Sequence, residues 1–154
     1  MKIKFFGLLL GVALLVSAAS AQTINVSGSI TGGNATKGKT ARGAVVLRVP
    51  DGLHVNSSRP GNKYQIPTTV RLSAAGARVV GPTYPRGVNR KFQFSDTVIN
   101  VYEGTVRVPF TVTVPAGFRG NTFSVRAVVR YQACTDEVCY APRSTEITMT
   151  ARVR

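Results

Sequence analysis

From Thr105 onward, apolar and polar residues alternate one by one. Val106, Val108, Phe110, Val112 and Val114 are separated by Thr105, Arg107, Pro109, Thr111 and Thr113. Phe123, Val125, Ala127, Val129 and Tyr131 alternate with Ser124, Arg126, Val128 and Arg130. Ile147, Met149, Ala151 and Val153 alternate with Glu146, Thr148, Thr150 and Arg152. A period of two predicts strands with one face in a core and the other in water. Shorter candidates are Thr23–Ile30, Ala44–Val49, Leu53–Val55, Thr68–Ala74, Lys91–Phe94 and Val98–Tyr102. They are punctuated by Pro50-Asp51-Gly52, Arg59-Pro60-Gly61, Gly81-Pro82 and Pro115-Ala116-Gly117. Seven to nine antiparallel strands in a chain of this length predict an all-β, immunoglobulin-like β-sandwich. Pro109 cannot donate to a ladder, which predicts an edge or a bulge at that point. Residues Thr31–Lys39 read as a flexible loop, and nothing after the leader reads as a long amphipathic helix.

The leader is a separate signal. Lys2 and Lys4 precede an apolar run from Phe5 to Val16, and Ser17-Ala18-Ala19-Ser20-Ala21 follow. This order predicts a secretory signal over residues 1–21, cleaved after Ala21, and a single domain over residues 22–154 in the periplasm or outside the cell. No apolar stretch reaches the roughly 20 residues of a membrane span, which argues against a channel or transporter.

Charge changes the picture little. Lys and Arg total 20 against 6 Asp and Glu, a formal +14 in 154 residues. The basic residues are scattered (Lys37, Lys39, Arg42; Arg86, Arg90, Lys91; Arg152, Arg154) and form no basic tail. For an exported protein this argues against nucleic acid as a partner and for a weak attraction to an anionic envelope surface. Two cysteines and one histidine leave little room for a zinc site, so no metal or cofactor is expected.

Cys134 and Cys139 bracket Thr135-Asp136-Glu137-Val138. In an oxidising compartment a thiol pair can persist as a disulfide, and two cysteines are an even count. Closing so short a loop restricts the unfolded chain by about 2 kcal/mol, against about 4 for a loop of roughly forty residues. As a structural staple the placement is weak, and a short loop near a strand end leaves sulfur open to another thiolate. Spacing alone leaves a redox pair and a structural bridge both open.

The run Tyr131-Gln132-Ala133-Cys134-Thr135-Asp136-Glu137-Val138-Cys139-Tyr140-Ala141-Pro142 resembles the cysteine motif of the periplasmic N-terminal domain of the thiol:disulfide interchange protein DsbD. Pro50-Asp51-Gly52-Leu53-His54-Val55-Asn56 and Val101-Tyr102-Glu103-Gly104 extend the likeness upstream. The resemblance implies an immunoglobulin-like fold and a reversible Cys134–Cys139 disulfide, a thiol:disulfide interchange or protein-disulfide reductase activity. It also implies thioredoxin-like periplasmic oxidoreductases as partners, including those of cytochrome c maturation, with a membrane electron carrier acting in trans. By the same resemblance Cys139 forms the intermolecular mixed disulfide and Cys134 resolves it. The competing class is a non-enzymatic secreted sandwich module with a static bridge and a basic binding surface.

The surroundings are less determined. Asp136 and Glu137 disfavour a thiolate while Arg130 and Arg143 favour one. The resemblance implies an aromatic loop shielding the disulfide, and chain order points to Gly81–Gly87 with Tyr84 as the shield; an ordinary proline-stabilised turn reads equally well. His54, the only histidine, is a candidate base or a buried structural residue. Tyr131 and Tyr140 either pack over the sulfurs or serve as core and surface aromatics. The chain departs from the family pattern in its non-acidic cap-like loop, its four-residue cysteine spacer, and His54-Val55-Asn56 where tyrosines are frequent. No Gly-x-Ser-x-Gly elbow supports a hydrolase.

Overall fold

The alternating segments pair as their period requires. In the computed structural model, which describes residues 23–61 and 63–154, they form three sheets of four strands. The first has the order β1 (Asn25–Ile30), β3 (Thr40–Arg48), β9 (Thr105–Thr113), β6 (Arg78–Val80). The second runs β2 (Asn34–Ala35), β12 (Arg143–Val153), β10 (Thr122–Tyr131), β5 (Thr69–Ser73). The third, smaller sheet runs β11 (Ala133–Cys134), β4 (His54–Asn56), β8 (Ile99–Tyr102), β7 (Val88–Arg90). The expected leader lies outside the described residues.

The first two sheets face each other across one apolar core, the arrangement of an immunoglobulin-like β-sandwich. The parity read from the sequence is the parity that is buried. Val106, Val108, Phe110 and Val112 of β9 point inward with Phe123, Val125, Ala127 and Val129 of β10. Register keeps like with like: Val45 lies opposite Val108, and Val125 opposite Met149. Each such Val, Met or Phe contributes roughly 1.5–3 kcal/mol by leaving water. Gly43, opposite Phe110 on β9, has the ring lying over it, and a Cβ there would meet Phe110 Cζ at 2.3 Å.

Several expectations are refined. Twelve strands form rather than seven to nine, because paired segments of two or three residues are too short for a period to register; seven strands have four residues or more. The Thr31–Lys39 segment is not simply a loose loop. It makes a 3-10 turn at Thr31–Gly33, and Asn34–Ala35 then pair with β12, the one parallel ladder among the described residues, burying Ala35. Lys91–Phe94 is not a strand. Ser95 N–H donates to the Phe92 carbonyl at 3.2 Å, closing a turn, and the strand lies just before it at β7. Pro109 pairs with Ala44 on one side, while on the other β6 has ended at Val80, opposite Thr111. The strand is an edge there, so the missing N–H forfeits no ladder bond, and the Pro109 carbonyl accepts from Thr83 N–H at 2.9 Å.

The third sheet is built from strands that leave the sandwich. The chain of β10 passes through the single residue Gln132 into β11, β4 follows β3, and β8 leads into β9. Phe92, Ile99 and Val101 form a second small core here. This sheet carries the cysteines.

Candidate functional site at the end of the third sheet

After Cys134 the chain turns back at once. Thr135 N–H donates to the Val138 carbonyl at 2.8 Å, and Tyr140 N–H donates to the Ala133 carbonyl at 2.9 Å. Between these two rungs Cys134 and Cys139 form an antiparallel bridge with Cα atoms 4.0 Å apart and sulfurs bonded at 2.06 Å. The tip is tied by Thr135, whose Oγ1 accepts from the N–H groups of Glu137 at 3.2 Å and Val138 at 3.1 Å. Threonine suits the position because its hydroxyl replaces ladder bonds that a two-residue tip cannot make. Asp136 and Glu137 are exposed at the tip.

The base of the hairpin is anchored through side-chain amides. Gln132 Nε2 donates to the Tyr140 carbonyl at 3.1 Å, and Gln132 Oε1 accepts from Asn56 Nδ2 at 3.3 Å. Asn56 Nδ2 also donates to the Ile66 carbonyl at 3.1 Å, and Asn56 Oδ1 is buried with no partner. β4 and the cysteine hairpin are thereby tied to each other.

The two sulfurs differ in access. Cys134 is fully buried, at 0% exposure, whereas Cys139 is partly exposed. Opposite Cys134 across the β11–β4 ladder stands His54, itself 2% exposed. The Phe92 ring stacks on the imidazole with centroids 4.2 Å apart, and Phe94 stacks on Phe92 at 5.2 Å. Phe94 is the outermost ring, 39% exposed. Burial holds the imidazole below its ordinary value; the charges of Asp136 and Glu103 oppose that shift and Arg90 adds to it. Asp136 shares a shallow pocket with Arg90, Lys91, Phe92 and Gln93, so the hairpin tip meets the turn that carries the stacked rings. Val138 and Tyr140, on either side of Cys139, expose about half of their surfaces.

This cysteine hairpin, with the strands below it, falls inside a family match. Residues 28–151 match the family described as thiol:disulfide interchange protein DsbD, N-terminal. The chain belongs to the DsbD N-terminal family. No curated protein matches it. Among solved structures, the N-terminal periplasmic domain of ScsB from Proteus mirabilis is similar at a TM-score of 0.49 and 11% identity. That likeness covers 82% of this chain, which spans 45% of the solved one. AvmM, which catalyzes macrocyclization in alchivemycin A biosynthesis, is similar at a TM-score of 0.31 and 11% identity, over 83% of this chain and 89% of the solved one. Likeness at these values says nothing about function.

Membership in the DsbD N-terminal family directs attention to the residues around the disulfide, and they separate into two groups. Cys134, Cys139 and His54 come together on the third sheet. Tyr140 directly follows Cys139 in the hairpin, whereas Tyr131 and Tyr84 pack with the sandwich. Tyr131 is a buried member of the sandwich core, and Tyr140 is a surface ring held by its backbone. Tyr84 packs against the sandwich core, and its hydroxyl accepts from Val70 N–H of β5 at 2.8 Å. It lines an open groove with residues of 57–61 and 82–87, away from the cysteine hairpin. The aromatic stack on His54 is made by Phe92 and Phe94 of the β7–β8 turn. The sequence carried a signal for this, the Phe-x-Phe spacing in Lys91–Phe94, but the same spacing is also that of a strand. Among the described residues no group of three or more His, Cys, Asp or Glu side chains could hold a metal, and no helix is long and apolar enough to cross a membrane.

Proposed function

We propose that this chain is an exported thiol–disulfide exchange protein, passing reducing equivalents between thioredoxin-like partners through a reversible Cys134–Cys139 disulfide. The observation that carries the reading is the unequal access of the two cysteines: Cys139 is partly exposed and Cys134 is closed off. Exchange needs an entry point for a visiting sulfur and an internal thiol that expels it. Cys139 takes the mixed disulfide and Cys134 resolves it. In the reduced domain, the Cys139 thiolate attacks one sulfur of the partner's disulfide, forming the mixed disulfide and releasing the partner's other thiolate. Cys134 then attacks Cys139 Sγ, the internal disulfide forms, and the partner leaves as a dithiol carrying two electrons.

The exposed Val138 and Tyr140 give a partner apolar surface beside the reacting sulfur, and the Phe92–Phe94 turn serves as the shield. The leader directs the chain to the periplasm or the exterior, with removal after Ala21. A membrane electron carrier supplies reducing equivalents.

The reduction potential tests the proposal. The chain is equilibrated in glutathione or dithiothreitol buffers and the state of the pair is read by thiol alkylation. A potential above about −300 mV supports turnover, and one well below it refutes exchange in favour of a static bond. A Cys134→Ser variant is expected to trap thioredoxin-like proteins through Cys139, and failure to trap any counts against the partner class.

A further inference from the structure

Resolution of a mixed disulfide demands a thiolate, and Cys134 is placed where solvent cannot make one. The side chain is fully buried, so its proton has no path to bulk water. Residues directly opposite in an antiparallel ladder share a face, with Cβ atoms roughly 4.5–5.5 Å apart. The residue opposite Cys134 is His54. The pairing places the imidazole and the sulfur on one face of the sheet, and Phe92 stacks on the ring with centroids 4.2 Å apart.

We propose that His54 accepts the proton of Cys134 as that thiol attacks the mixed disulfide at Cys139. The inference rests on the exchange reading above and adds a residue to it. In the step, the Cys134 S–H bond breaks and its proton passes to the imidazole. The sulfur's electron pair forms the Cys134–Cys139 bond, and the bond between Cys139 and the partner's sulfur breaks. The partner sulfur leaves as a thiolate; the proton on His54 passes to it or to water once the site opens. No outside oxidant is needed, because the partner's disulfide receives both electrons.

The charges around the ring suit this role. Burial keeps the imidazole neutral at neutral pH, the form that accepts a proton. The imidazolium that results faces Asp136 from the hairpin and Glu103 after β8, which stabilise it, and Arg90 of β7, which does not. Arg90 is itself paired, its Nε 3.4 Å from Glu103 Oε1. A purely structural histidine in this sheet would require neither the resolving cysteine opposite it nor a carboxylate at the hairpin tip.

The test uses the reduced chain and excess Ellman's reagent in a stopped-flow instrument. The first thionitrobenzoate marks attack by Cys139, and the second marks its expulsion by Cys134. In the native chain the second phase should be at its plateau by pH 7 and should fall as pH drops below the ordinary histidine range. His54→Phe keeps a ring for Phe92 to stack on but removes the base. It should leave the first phase within about twofold and slow the second about 100-fold at pH 7. In that variant the second phase should keep rising with pH above 7 instead of reaching a plateau. His54→Gln, which hydrogen-bonds without titrating, should behave like His54→Phe. A second phase within threefold of the native rate in either folded variant overturns the proposal. So does a native second phase that does not titrate below pH 7, a readout that needs no variant. Failure of the exchange reading appears elsewhere, in the reduction potential, which is measured without reference to His54.

Discussion

Reducing the disulfide should leave the domain folded, and the size of the loss can be worked from the chain. Cys134 and Cys139 are separated by 5 positions, so the bond closes a very small loop in the unfolded state. The chain-entropy relation gives about 2 kcal/mol for it. In the folded state the backbone bonds between Thr135 and Val138 and between Ala133 and Tyr140 flank the sulfurs and do not depend on the S–S bond. Loss of about 2 kcal/mol should lower the melting temperature by roughly 6–10 °C for a chain of this size. The same quantity has an electrochemical face: at about 30 mV per 1.4 kcal/mol, the folded pair should be about 40 mV harder to reduce than the pair in urea-unfolded chain. Melts followed by circular dichroism, with and without dithiothreitol, give the first number. Redox titrations in buffer and in urea give the second. A loss of 4 kcal/mol or more, or unfolding at 25 °C on reduction, would refute the reasoning and identify the bond as a staple.

Three further outcomes follow from the packing and charge. Gly43→Ala places a Cβ 2.3 Å from Phe110 Cζ and should cost about 1–3 kcal/mol in urea unfolding, since the ring must leave its place over the ladder. Gln132→Ala removes the bond to the Tyr140 carbonyl and one of the two acceptors of Asn56 Nδ2; it should cost about 1–2 kcal/mol and speed amide exchange at Tyr140, while leaving β9 protected. The lowered value of His54 means that the unfolded chain binds a proton the folded chain refuses. Stability from this group is complete above about pH 6.5 and is lost as pH falls through the folded value, with a slope of at most about 1.4 kcal/mol per pH unit. His54→Phe should flatten the stability profile just below about pH 6.5, and a slope unchanged in the variant would assign it to other groups.

The sandwich was legible because its strands are long and half-buried. Over nine to eleven residues, β9, β10 and β12 repeat the parity often enough that only one face can be inward. The third sheet was less so. Its strands have two to four residues, and β4 is buried at all three positions, so alternation has nothing to mark. The cysteine pair and His54 could be named from the sequence, but their adjacency could not. It depends on a ladder between residues 80 positions apart, Cys134 and His54, which no local pattern encodes. The aromatic surroundings of the site were hidden for a related reason. Tyr84 sits in a proline-framed loop of the expected kind, yet its hydroxyl is committed to β5, and two phenylalanines that read as a strand fold back as a turn.

Return, finally, to the two backbone rungs that bracket the sulfurs. Being backbone hydrogen bonds made without the sulfurs, they should survive reduction, which would leave the thiols facing one another at an effective concentration far above that of any dissolved thiol. On the proposed exchange reading the hairpin would work as a spring clip: the visitor arrives as a collision, but its dismissal is an intramolecular event on a mount already aligned. Dwell time on the partner would then be set by the clip and its proton traffic, and the rate of arrival by the exposed rim around Cys139.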